Sequence, residues 1–227
     1  MQRKERFEKV IAYFKENMPV AETELDHTSP YELIVATILS AQCTDKRVNM
    51  LTPAFFKKFP TPNVLANATV EDIFELIKSC SYPNNKAKNI LGMAKKLVEE
   101  FNGVVPQSVD DLQKLPGVGR KTANVVASVA FNAPALAVDT HVFRVSRRIG
   151  LTQNAKTPLE TEKQLVEHIP QELLPIAHHW LILHGRYVCI ARKPNCEACG
   201  IKKLCKEYPK LKKAAEKLAQ SKKASGK

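Results

Sequence analysis

Four cysteines fall within seventeen residues: Cys189, Cys196, Cys199 and Cys205, spaced C-x6-C-x2-C-x5-C. Four thiolates that close together in an intracellular chain point to a metal or cluster site. Zinc and iron–sulfur centres both accept four thiolates in tetrahedral array. Zinc sites favour two short knuckles, and here only Cys196-x2-Cys199 is one, which tilts the reading toward a 4Fe-4S cluster. Arg192, Lys193, Lys202 and Lys203 flank the ligands. They can offset the charge of a thiolate-bound cluster, reach a phosphate, or do both. Cys43 and Cys80 lie far from this set inside apolar segments and read as small buried residues.

A second constellation surrounds Leu115-Pro116-Gly117-Val118-Gly119. Pro116 ends one helical stretch. Gly117 and Gly119 allow positive φ and close backbone approach. Arg120-Lys121-Thr122 then opens a second helix, whose unpaired N–H groups can grip a phosphate without reading sequence. Lys121 sits in the first turn, where the positive helix end and Arg120 both disfavour an ammonium. Only a neutral amine attacks carbon, so Lys121 is a candidate nucleophile; the plainer role is phosphate binding. Asp139 precedes Thr140-His141-Val142, and its plain role is that of a helix N-cap. The same carboxylate can steady positive charge on a sugar, as in glycoside cleavage. His141 is a capping, packing or cleft residue, with the three left open.

The surrounding chain must position these groups. Its 227 residues suit one large domain or two small ones, and 44% apolar with 26% charged content excludes disorder throughout. The longest uncharged run, residues 122–138, holds Asn124, Asn132 and Pro134 and is too short and polar for a membrane span. No signal peptide follows Met1. The formal charge of +12 suggests an anionic partner, but residues 201–227 hold ten Lys and two Glu, or +8, leaving +4 for the rest. Local basic patches are therefore sought at Lys86, Lys88, Lys95 and Lys96, at Arg144, Arg147 and Arg148, and at Arg186, Arg192 and Lys193.

Apolar residues recur at helical spacing nearly everywhere. Ser29-Pro30 with Glu32 marks a helix start. Further helices are expected near Asp45–Phe59, Val70–Ser79, Asn85–Phe101, Val109–Leu115, Arg120–Phe131, Thr140–Ile149, Pro158–His168 and Gln171–His184. No alternating run insists on a sheet. The fold class is all-α, with a Lys-Ala-rich tail, 209–227, that is either partly disordered or a frayed helix.

Taken together, the strings Leu39–Lys46 (LSAQCTDK), Asn84–Leu91 (NNKAKNIL), Leu115–Ala127 (LPGVGRKTANVVA), Ala137–Ser146 (AVDTHVFRVS) and His178–Glu197 (HHWLILHGRYVCIARKPNCE) resemble the endonuclease III family of helix-hairpin-helix DNA glycosylases. The resemblance spans most of residues 25–205. It implies two helical domains flanking a DNA-binding cleft: a six-helix barrel over 22–133, with the helix-hairpin-helix at about 109–132, and an iron–sulfur domain joining 1–21 to 134–208. It implies a monomeric repair enzyme acting on damaged double-stranded DNA and not on membranes; the compact chain without a visible targeting extension favours a prokaryotic, cytoplasmic and nucleoid-associated one. The family flips oxidised or ring-saturated pyrimidines, such as thymine glycol, out of the duplex. By resemblance, Lys121 attacks the sugar C1′ to give an imine, Asp139 assists, and β-elimination cuts the strand. The four cysteines would hold a 4Fe-4S cluster shaping a basic loop near Arg192 and Lys193. The DNA-contacting set would be Gln42, Tyr82, Gly117, Val118, Gly119, Arg120, His141, Arg144, Arg192 and Lys193. Gln42 matches the residue that fills the gap left by the flipped base. Tyr82 stands where the family usually carries a wedging Leu, and Pro83 where it carries a Tyr, so the wedge differs here.

Two other readings fit parts of the pattern. A mismatch-specific monofunctional glycosylase of the same fold typically lacks the Lys, and the adenine enzymes usually carry a further C-terminal domain, for which the 22 residues after Cys205 are too few. A non-catalytic helix-hairpin-helix DNA-binding module explains the charge and the glycines but gives Lys121 and Asp139 no purpose.

Overall fold

The computed structural model describes residues 1–213 and 216; the remainder of the basic tail, on which the disordered-or-frayed expectation falls, lies outside the described residues. Between Arg3 and Tyr187 run eleven α-helices and one 3-10 turn, and 208–213 is also helical. Among the described residues there is no β-strand, as the helical periodicity requires. No helix among them is long and apolar enough to cross a membrane.

The chain divides into two compact units, Glu22–Ala137 and Met1–Ala21 with the chain from Val138 onward. The sequence reading put the second boundary after residue 133. Contacts carry the first unit further: Ala135 joins its core, and the Leu136 carbonyl accepts from the buried Asn124 side chain at 3.2 Å.

In the 22–137 unit, α2 (Pro30–Ser40) is the central rod. Tyr31 and every residue from Leu33 to Leu39 are buried, as expected of a helix apolar on all sides. Each such Leu or Ile contributes about 2 kcal/mol through burial. Ser29 caps it by accepting from the Glu32 N–H, while the Glu32 carboxylate reaches back to the Thr28 N–H at 2.6 Å. Against α2 pack α3 (Asp45–Lys58), α6 (Pro83–Phe101) and α8 (Arg120–Phe131), while α4 (Pro62–Ala66) and α5 (Val70–Ile77) pack on α6, and α7 (Val109–Leu112) on α8. The short α4 opens on the second proline of Pro60-Thr61-Pro62. Thr61 caps it, so the prolines begin a helix there.

The other unit joins α1 (Arg3–Asn17) to α9 (Thr140–Ile149), α10 (Pro158–Val166), the 3-10 turn Gln171–Leu173 and α11 (Leu174–Tyr187). Phe14 of α1 stacks on Trp180 of α11 at 5.8 Å, and the Trp180 indole N–H donates to the Met18 carbonyl at 2.7 Å. These contacts tie the two ends of the sequence into one core.

Candidate active site and thiol centre

Ser108 caps α7, and the chain then turns tightly: the Leu115 N–H donates to the Leu112 carbonyl and the Val118 N–H to the Leu115 carbonyl, both at 3.1 Å. Leu112, Leu115 and Val118 anchor the turn in the core. Gly117 has φ +78°, and a Cβ there would stand 2.8 Å from the Asn89 Cβ of α6. Glycine is thus required twice over, by conformation and by contact. Gly119 differs from the expectation. Its φ is −82°, an ordinary value, and nothing lies within 4 Å of where its Cβ would be. It caps α8 without a side chain, so no capping group occupies the first N–H groups of α8, the kind of helix end that accepts an anion. Lys121, the second residue of α8, is exposed. The buried face of α8 runs from Ala123 to Ser128 and packs against α2 and α7.

Asp139, in the other unit, is the N-cap of α9. Its Oδ1 accepts from the Val142 N–H at 2.8 Å, so the capping role is real and fixes the carboxylate. His141 packs beside Gly185 of α11, whose missing Cβ would sit 2.8 Å from the His141 Cβ. Arg144 spends its guanidinium inward, on the carbonyls of Gly185 at 2.9 Å and Cys189 at 3.1 Å, and its NH2 lies 3.2 Å from His141 Nδ1. Arg148 likewise holds the carbonyls of Ile190 and Ala191 at 2.8 and 2.7 Å. Both arginines therefore bind the loop after α11 rather than a surface patch. Arg147, Arg192 and Lys193 are exposed.

Gln42 and Tyr82 stand on neighbouring turns of the 22–137 unit. Both are exposed and both have left-handed backbones, at φ 54° and 56°. The Ser81 hydroxyl donates to the Gln42 carbonyl at 2.7 Å. Lys86, sought as a surface cation, is only 4% exposed. Its ammonium donates to the Leu39 carbonyl at 2.7 Å, capping the C-terminal end of α2, where a cation suits the helix dipole. Burial lowers its pKa. Sequence periodicity marked no such inward lysine; its place on the apolar stripe with Ala87 and Ile90 was the available signal.

Cys189, Cys196, Cys199 and Cys205 line one cavity, walled also by Ile149, His184 and Ile201. The thiols are free. No group of three or more His, Cys, Asp or Glu among the described residues is arranged to hold a single metal ion. The loop is strongly ordered from its surroundings. The Cys189 N–H donates to the His184 carbonyl at 2.7 Å, the Lys206 N–H to that of Ile149 at 3.0 Å, and Arg6 to that of Leu204 at 2.9 Å. Arg148 approaches the Cys189 sulfur at 3.5 Å, and His184 Nε2 lies 3.7 Å from that of Cys199. Burial pushes the Cys199 thiol up to about 11 and raises those of Cys196 and Cys205. Four thiols gathered in one cavity fit a thiolate-ligated metal centre whose cations would supply the compensating charge. Cys43 and Cys80, read as small buried residues, meet with sulfurs 3.8 Å apart; Cys80 is buried as expected, whereas Cys43 is only partly so.

A helix-hairpin-helix with an open glycine cap on an all-α scaffold, in a chain that also carries a four-cysteine loop, defines a class of nucleic-acid repair protein. The chain belongs to the HhH-GPD superfamily of base excision DNA repair proteins, matched over residues 35–171, and within it to the endonuclease III family. It is 49% identical to endonuclease III of Bacillus subtilis strain 168 over 85% of this chain and 88% of that one. Identity to the endonuclease III of Escherichia coli strain K12 is 44%, over 89% and 95%. A solved endonuclease III–DNA covalent intermediate, trapped as an estranged-adenine complex, superimposes with a TM-score of 0.88 at 45% identity, covering 92% of this chain and 99% of that one. The family resemblance seen in the motifs is thereby established.

Proposed function

We propose that the protein excises oxidised or ring-saturated pyrimidines, such as thymine glycol, from duplex DNA and cuts the strand at the resulting site. The observation that carries this reading is the hairpin: Gly117 forces the turn, Gly119 leaves the α8 end open, and the exposed Lys121 follows directly. A backbone phosphate seated on that helix end sets the Lys121 amine beside the deoxyribose.

Lys121 Nζ attacks C1′, the C1′–N bond breaks, and the base leaves with the electron pair. Loss of a proton from nitrogen and ring opening give the imine. Removal of a C2′ proton then drives β-elimination of the 3′ phosphate. The Asp139 carboxylate assists Lys121 and offsets positive charge on the sugar. Its N-cap bond keeps one oxygen fixed while this happens. Gln42 fills the space of the flipped base and Tyr82 wedges the stack. Gly117, Val118, Gly119 and Arg120 hold the phosphate, and Arg192 and Lys193 add charge attraction. Cys189, Cys196, Cys199 and Cys205 would hold a 4Fe-4S cluster, and so would be tied together across the loop that carries Arg192 and Lys193. The trapped covalent complex of the relative supports chemistry through a protein–DNA bond.

The test uses two duplexes, one with thymine glycol and one with an abasic site. The intact protein should cut both, and Lys121→Gln neither. Base release without cutting would favour the monofunctional reading, and undiminished cutting by Lys121→Gln would refute the assignment.

A further inference from the structure

Cys43 and Cys80 belong to no part of this machinery. Cys43 lies in the turn after α2, its N–H donating to the Ser40 carbonyl at 3.0 Å; Cys80 lies in the turn before α6, its N–H donating to the Ile77 carbonyl at 2.8 Å. Thirty-seven residues apart in sequence, their sulfurs stand 3.8 Å apart. Cys80 is 5% exposed, whereas Cys43 is partly open to solvent. Each lies within two positions of a residue held in the left-handed region: Gln42 precedes Cys43, and Tyr82 lies two beyond Cys80. Ser81 bridges the same two turns.

We infer that Cys43 and Cys80 are a peroxide-oxidisable pair whose disulfide reshapes the Gln42 and Tyr82 turns and weakens DNA binding. The effect on DNA rests on the function proposed above; the thiol chemistry does not. Cys43 is the entry point because peroxide reaches it first. Its thiolate attacks one peroxide oxygen, the O–O bond breaks, and the departing hydroxide is protonated to water, leaving a sulfenic acid. The Cys80 thiolate then attacks the Cys43 sulfur, the S–O bond breaks, and a second water leaves. Two thiols are oxidised and one peroxide is reduced to two waters. Burial and the neighbouring Cys43 raise the Cys80 thiol to about 11, with Lys86 and Arg47 pulling the other way, so Cys80 rests as a thiol that peroxide spares, and its resolving attack follows loss of that proton. Bringing sulfurs from 3.8 Å to the disulfide distance of about 2 Å draws the turns together. Two left-handed residues braced by one hydroxyl have little slack to absorb this shift.

The experiment titrates the purified cluster-containing protein with hydrogen peroxide. It maps thiols by mass spectrometry and measures affinity for a duplex carrying a non-cleavable abasic analogue. The expected result is a Cys43–Cys80 linked peptide and an affinity at least tenfold lower, both reversed by dithiothreitol. Cys43→Ser and Cys80→Ala, which keep wild-type affinity before oxidation, should show neither change. The link is read without DNA, so its absence from the folded protein overturns the inference whatever becomes of the repair function. A link with unchanged affinity overturns it too, as does an equal affinity loss in both variants, which would locate the damage elsewhere.

Discussion

The Ser81 hydroxyl ties itself to the main-chain carbonyl of Gln42, 39 residues earlier, at 2.7 Å. It joins two turns whose outward residues, Gln42 and Tyr82, both adopt left-handed backbones that cost about 1–3 kcal/mol each. Such conformations persist when the surroundings over-determine them. Here the bracing comes from Ser81 and from the Lys86 ammonium on the end of α2.

Ser81→Ala removes one neutral hydrogen bond, an effect of about 1 kcal/mol. On the proposed function this turn meets DNA, so affinity for a lesion duplex should fall about threefold to tenfold. Fluorescence anisotropy checks this. Wild-type affinity would show that the bridge does not set the turn for binding.

The two hairpin glycines should behave oppositely. Gly117→Ala meets both a positive φ and the Asn89 Cβ, so it should lower stability by about 1–3 kcal/mol and impair binding with it. Gly119→Ala has an ordinary φ and open space. It should melt like the wild type yet bind DNA at least several-fold more weakly. Thermal melting beside affinity measurements separates the two, and normal binding by Gly119→Ala would remove the phosphate from that face.

Asp139 is asked to cap α9 and to serve the chemistry. Asn is an equally good cap, so Asp139→Asn should keep the melting temperature and lose about 100-fold in excision rate. Asp139→Ala should lose a similar rate and about 1 kcal/mol of stability in addition. Single-turnover excision assays with denaturant titrations check both. A fully active Asp139→Asn would confine the residue to capping.

Much of this site was legible in the residues. Arg120–Phe131 and Thr140–Ile149 could be bounded from sequence because a glycine or aspartate cap and an unbroken apolar stripe mark them. Asp139's cap followed from its type and place. The end of the hairpin's first helix was read too long, at Leu115 instead of Leu112, because Leu115 continues the apolar spacing while the chain already turns. Tertiary pairing was invisible. Nothing local told that Arg144 and Arg148 would spend their charges on carbonyls, and for Lys86 the apolar stripe was the one hint, since cations look alike in sequence whether they point in or out. The meeting of Cys43 with Cys80 depends on two turns converging around α2, which periodicity does not encode.

Acid should destabilise the protein through His179. Burial, with a smaller contribution from the Arg186 guanidinium, lowers its imidazole from 6.5 to about 4. Between those values the unfolded chain binds a proton that the folded chain refuses, so stability falls as pH drops from 6.5 toward 4. The full loss is about 3 kcal/mol. Urea titrations across this range should show a shallower decline in His179→Gln; identical slopes would exclude His179 as a source of the acid lability.

The central claim is that Lys121 becomes covalently bonded to the sugar. Incubating the protein with a thymine-glycol duplex and borohydride reduces any imine to a permanent link, which peptide mapping locates. The account predicts a single cross-linked peptide carrying the DNA remnant on Lys121, absent from Lys121→Gln. A cross-link at another amine, or none from a protein that binds and excises normally, would contradict it.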